Sequence, residues 1–260
     1  METELVFTDS TIIGYALSGS VAFLLPTGMF IAAKYKMYAR IIPLIIGVFS
    51  YSFISVVRAV VRSAVINEDM ARHMIFGFFV LSVISGVLEE VGRYAVFRWA
   101  IPNYYRAEDA FSYGIGHGGI EIAFTTGIVS FGDMFDAMKI NRVGLENFIA
   151  ENSGNAAEIT EWVAAEYDSG MGLCFFGALM CLCGMVTHIS LSVIVMAAVH
   201  YDDSRKLLLA AVGLHTASNF IAHISNMVVV GIFYTDLICA AVLCFIAYKV
   251  YKKYRMEEVC

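Results

Sequence analysis

The sequence predicts an all-α fold, a polytopic transmembrane helix bundle of about seven spans, and three observations carry that prediction. Of the 260 residues, 59% are hydrophobic and only 15% charged, against roughly a quarter charged in an ordinary soluble domain. The apolar residues, with a mean hydropathy of +0.73 over the chain, gather in runs long enough to cross about 30 Å of hydrocarbon as helices. Lys and Arg collect on alternate connections between those runs, as the positive-inside tendency requires.

Taken in order, the first span is expected at 11–33. Its acidic leader METELVFTDS lacks the basic region of a cleaved signal peptide, so this segment should stay in the membrane. Lys34, Lys36 and Arg40 close it, and a second span at 41–62 follows. The third, 74–98, reads MIFGFFVLSVISGVLEEVGRYAVFR, apolar but for a cluster of charges near its end. Arg98 and Arg106 lead to a fourth span at 110–131. An acidic extramembrane loop with some helix, 132–171, comes next and carries Glu146, Glu151, Glu158, Glu161 and Glu166. Spans five to seven are placed at 172–199, 206–230 and 231–250; so little chain joins the last two that a hairpin stopping short of a full crossing is the alternative. Arg205 and Lys206 precede span six, and Lys249, Lys252, Lys253 and Arg255 end span seven. These charges predict an outer N-terminus and loop and a cytoplasmic C-terminus.

The whole chain, 1–260, then forms one integral membrane domain. Its net charge of -6 is local to the acidic loop. Cys174, Cys181, Cys183, Cys239 and Cys244 lie in apolar segments without zinc-ribbon spacing, so neither a disulfide nor a metal is expected there. No phosphate loop, basic stripe or nucleic-acid module occurs, so nucleic acid is not an expected partner.

Ionised groups in hydrocarbon are costly and mark functional sites. Span three carries Glu89, Glu90 and Arg93, with both carboxylates within one helical turn of the arginine. One carboxylate can be neutralised by Arg93; the other, with a like charge beside it and little water, suits a general base. Span four brings SYGIGHGGIE, in which four glycines allow close helix approach around His117, and Glu121 stands one turn on to orient the ring. His188 lies in THISLSVIV without a strongly polar neighbour in its own turn. His215 and Asn219, four residues apart, can donate together to an oxyanion. Counted from the predicted cytoplasmic ends at 1.5 Å per residue, Glu89, Glu90, His117, His188 and His215 all fall roughly 10–17 Å deep. Arg58 and Asp236 are further intramembrane charges that could pair with each other or with the site. His73 and His200 fall at span boundaries, and His223 and Asn226 are expected to pack.

Glu-Glu-x-x-Arg, aromatic-x-x-x-His and His-x-x-x-Asn, in that order, resemble the superfamily of CAAX prenyl endopeptidases and bacteriocin-processing enzymes. The fuller wording GVLEEVGRYAVFR, YGIGHGGIE, THISLSVIV and GLHTASNF resembles the YhfC family of membrane peptidases within it. The resemblance implies a glutamate-dependent intramembrane protease of a prokaryotic cell membrane, acting on a membrane-embedded or lipid-anchored peptide. It implies that Glu89 or Glu90 holds the attacking water with His117. His215 and Asn219 would then stabilise the oxyanion, Arg93 would order the glutamates, and His188 would be an additional member. Two departures stand out: two residues rather than three separate the glutamates from Arg93, leaving the base open between Glu89 and Glu90, and Tyr113 replaces the usual phenylalanine. No cofactor is expected; a zinc held by the same Glu/His cluster is the runner-up, although HExxH is absent. The competing functions are a proton- or cation-coupled transporter and a non-catalytic immunity or binding protein.

Overall fold

The computed structural model describes residues 6–66, 73–152, 156–201, 204–225 and 232–254. All the regular structure there is helical: α1 (Asp9–Met37), α2 (Ile41–Val65), α3 (Met74–Ala95), α4 (Ala107–Ile122), α5 (Val129–Val143), α6 (Leu145–Glu151), α7 (Ala156–Glu166), α8 (Gly172–His200), α9 (Ser204–Ser225) and α10 (Ile232–Tyr254). Wider π turns extend α3 through Val96–Ala100 and join α4 to α5 through Ala123–Ile128. The Ile101 N–H reaches back five residues to the Val96 carbonyl; neither widening is foreseen by hydrophobic periodicity, which reads the same through both.

Among the described residues, six helices are long and apolar enough to cross a membrane: α1, α2, α3 with its extension, α8, most of α9 and most of α10. The expected fourth span, 110–131, is not among them. Its segment is helical, and Glu121, His117 and four glycines make it less apolar than those six. The expected loop 132–171 is mostly helix. Asn226, the end of span six and Arg255 lie outside the described residues.

The chain divides into two compact units, residues 1–25 with 122–181, and residues 26–121 with 182–260. In the first, Phe7, Tyr15, Ala137, Ile140, Phe148 and Val163 form the core, and the Phe7 ring packs at a tilt against Trp162, centroids 5.0 Å apart. Asn141 fixes the entry of the chain by accepting from the Phe7 N–H at 2.8 Å and donating to the Phe7 carbonyl at 2.7 Å. Gly144 turns α5 into α6 at φ +84°, where a side chain would be strained. The Tyr15 hydroxyl donates to Glu166, and Lys139 pairs with Glu151 at 2.7 Å.

In the second unit, α3 packs chiefly along α9 and also against α2. The side of α3 that is buried carries Ser82, Gly86, Glu89, Glu90 and Arg93, a single stripe at helical spacing. The glycines of α4 work as the motif suggests. A Cβ at Gly116 would run into the Leu44 carbonyl of α2, and one at Gly118 would lie 2.9 Å from the His188 Cβ of α8. The start of α4 is tied down by Asp109, which accepts the Arg106 N–H at 3.1 Å and pairs with both arms of Arg40. Thus α4 is held between α2 and α8 with His117 facing inward.

Candidate functional site

The stripe on α3 meets three histidines from α4, α8 and α9. Glu89, Glu90, Arg93 and His117 are fully buried, and His188 and His215 nearly so. All belong to the second unit.

The two glutamates have different tasks. Glu90 is saturated: Arg93 Nη1 donates to its two oxygens at 2.8 and 2.6 Å, and His215 Nδ1 lies 2.7 Å from Oε1. A carboxylate accepts only, so the His215 proton on that side belongs to Nδ1. Glu90 therefore sets the tautomer and the tilt of His215, as carboxylates do behind working imidazoles. Its Nε2 then faces Glu89 Oε2 at 3.8 Å.

Glu89 is held more tightly at one oxygen than at the other. Its Oε1 accepts from Arg58 Nη1 at 2.6 Å, and Arg58 Nη2 reaches the Tyr51 hydroxyl at 3.2 Å. Its Oε2 lies 3.2 Å from His117 Nε2. The expectation pairs one carboxylate with Arg93 and leaves the second without a cationic partner; in the structure Arg93 takes Glu90, and Arg58 of α2 takes Glu89. Arg58 pairs with the site and not with Asp236. Its side chain is 26% exposed, so the Glu89 pair is the wetter of the two and the Glu90 pair the drier.

His188 is a central member of the cluster. Arg93 Nη2 stands 3.3 Å from its Nδ1, and an arginine can only donate, so this nitrogen accepts and Nε2 carries the proton. Nε2 meets Glu121 Oε2 at 2.5 Å. Glu121, expected to orient its own-helix neighbour His117, thus reaches across to His188 of α8. The rings of His117 and His188 lie 5.0 Å apart, and those of His188 and His215 5.5 Å. Tyr51 sets its ring edgewise on His117 at 5.1 Å. Asn219, one turn beyond His215, is half-buried and makes none of the described contacts with the cluster.

Sequence reasoning left Arg58 undecided and did not consider Tyr51. Arg58 carried a signal, a lone intramembrane arginine; Tyr51 carried none, since tyrosine is common in such helices.

The donor set suits a metal ion. One ligand atom each from Glu89, His117, Glu121 and His188 all lie within 4.8 Å of one another. His117 donates Nε2–H to Glu89, and its Nδ1 is buried without a hydrogen-bond partner. Two carboxylates and two imidazoles gathered this closely are a donor set that zinc takes. One contact opposes it: a neutral His188 bound to metal through Nε2 needs its proton on Nδ1, where Arg93 now donates.

The membrane protein YhfC of Bacillus subtilis (strain 168) is 28% identical over 149 residues, 55% of this chain and 57% of that protein's length. This chain thus matches little more than half of its curated relative. No solved structure matches. The family model described as YhfC intramembrane metalloprotease matches residues 21–243, a stretch that holds every site residue named above. The chain is a multi-pass membrane protein and belongs to the YhfC intramembrane metalloprotease family.

Proposed function

We propose that this chain is an intramembrane endopeptidase that hydrolyses a peptide bond of a membrane-embedded or lipid-anchored substrate, with Glu89 as general base. The observation that carries this reading is the asymmetry of Glu89: Oε1 is tied to Arg58 by a charged contact of 2.6 Å, while Oε2 has only the longer His117 contact at 3.2 Å, with His215 at 3.8 Å. A base needs one fixed oxygen for orientation and one available for the proton.

His117, His188 and Glu121 are the residues that would hold the ion, a two-histidine and one-carboxylate set, with Glu89 next to it as the base. A zinc-type ion there supplies Lewis acidity, which makes bound water acidic and polarises a carbonyl. The chain's own groups do the rest. Glu89 Oε2 takes a proton from the attacking water and returns it to the departing amine. As an imidazolium, with its Nδ1 proton held by Glu90 and a second proton on Nε2, His215 would donate to the developing oxyanion, with Asn219 as a second donor on the same helical face. Arg93 joins the two halves by holding Glu90 and His188 together, and burial of the cluster limits competing water.

A metal-free glutamic mechanism is the second reading, and Arg93 at His188 Nδ1 favours it. Metal analysis of the purified protein separates the two. The first reading expects about one equivalent of zinc or a similar ion, lost in His117→Ala. Chelation should stop cleavage, and added metal should restore it. Cleavage by metal-stripped protein at the parent rate would leave only the glutamic route; cleavage by Glu89→Gln at the parent rate would end both.

A further inference from the structure

Behind the helix that carries His188 lies a cavity of about 420 Å³, bounded by α1, α4, α8 and α10. Its walls on α8 are Val186, Ile189, Ser190 and Val193, the face opposite His188. Met29 and Met37 line it from α1, and Cys244, Ala247, Tyr248 and Tyr251 from α10. Nearly all of that lining is apolar. Cys244 and Tyr248 are exposed, so the cavity opens outward from the second unit.

In a multi-pass membrane protein, the outward face of an apolar groove between spans meets lipid. The charges say which lipid. The lining residues of α1 and α10 run toward the C-terminal ends of both helices, and both ends are basic, with Lys34 and Lys36 on α1 and Lys252 and Lys253 on α10. Lys252 is joined to the groove directly: its Nζ stands 5.2 Å over the ring of Tyr248, a lining residue. Lys36 adjoins Met37 in sequence. An apolar slot ending at paired ammonium groups matches an acyl chain ending at a phosphate.

We propose that this groove binds one anionic phospholipid, with an acyl chain between α1, α8 and α10 and its phosphate at Lys36 and Lys252. The site is independent of the hydrolytic centre, and its test needs no cleavage.

The experiment measures lipid retained by the full chain after transfer from mixed vesicles of phosphatidylglycerol and phosphatidylcholine into detergent, read by native mass spectrometry. The parent should retain phosphatidylglycerol about tenfold over phosphatidylcholine, the scale expected for two basic contacts. Lys36→Gln with Lys252→Gln changes exposed residues only, and should remove that preference while an acyl chain is still retained. Cys244→Trp, which fills the groove from its exposed side, should lower retention of both lipids. Equal retention of the two lipids by the parent would overturn the proposal, as would an unchanged preference in the double variant. Displacement of the lipid by free glycerol 3-phosphate would overturn it too, because the phosphate alone would then be the ligand.

Discussion

At the scale of single residues, the adjacent glutamates Glu89 and Glu90 separate into a working group and a supporting one. Glu90→Gln leaves Arg93 buried and uncompensated, and breaking such a pair costs about 3–5 kcal/mol. That variant should lose thermal stability in detergent as well as activity. Glu89→Gln leaves the half-exposed Arg58 able to reach water. It should keep its melting temperature close to the parent's while peptide cleavage falls by about 10²–10⁴, the usual worth of a general base. The pair of variants is informative because both remove one carboxylate from neighbouring positions, and only their partners differ. Arg58 is tested through Glu89. Arg58→Met releases Oε1 and should lower kcat more than it raises KM, and Arg58→Lys should recover part of the loss by restoring a single ionic anchor.

Elements impose their own constraints. The glycines of α4 let its backbone approach α2 and α8, so enlarging them is a collision and not a loss of flexibility. Gly116→Val meets the Leu44 carbonyl, which cannot give way as a side-chain tip would. Overpacking of this kind costs about 1–3 kcal/mol or more, and Gly116→Val should unfold at lower temperature than Gly28→Val, where a Cβ meets nothing within 4 Å. On α5, outside the six spans, burial and the neighbouring Glu166 and Asp136 push the Asp133 carboxyl up to about 6. A carboxyl raised in the folded state binds its proton more tightly there than when unfolded, so stability falls as pH rises from about 4 to about 6. Asp133→Asn should flatten that slope in pH-dependent thermal melts, and at pH 7 it should be the more stable protein.

For the molecule as a whole, composition leaves little choice of class: a chain with so few charges must satisfy its backbone within helices and place them in lipid. The arrangement of lysines and arginines predicts the orientation, with the ends of α1 and α10 cytoplasmic and α7 outside. Lys36→Cys and Lys253→Cys should be labelled only by a thiol reagent given to the cytoplasmic side, and Glu158→Cys only from the opposite side. Labelling of Glu158→Cys from the cytoplasm would reverse the assignment.

What the residues alone determined follows from properties carried along the chain. Apolar length and helical spacing are local, so the helices, the stripe Ser82–Gly86–Glu89–Glu90–Arg93 and the motifs on four segments were legible without coordinates. The segment at 110–131 was legible as a helix, while its glycines and histidine, which make the motif, lower its apolarity, so composition alone marks it less strongly than the six more apolar helices. Pairing is decided between elements, and there spacing misleads: Arg93 is as close in sequence to Glu89 as to Glu90, and Glu121 is one turn from His117. Only the packing of α2 against α3, and of α4 against α8, gave Arg58 to Glu89 and Glu121 to His188. A buried charge takes the partner that geometry brings within about 3 Å, since in a medium of low dielectric an unpaired one is too costly to keep.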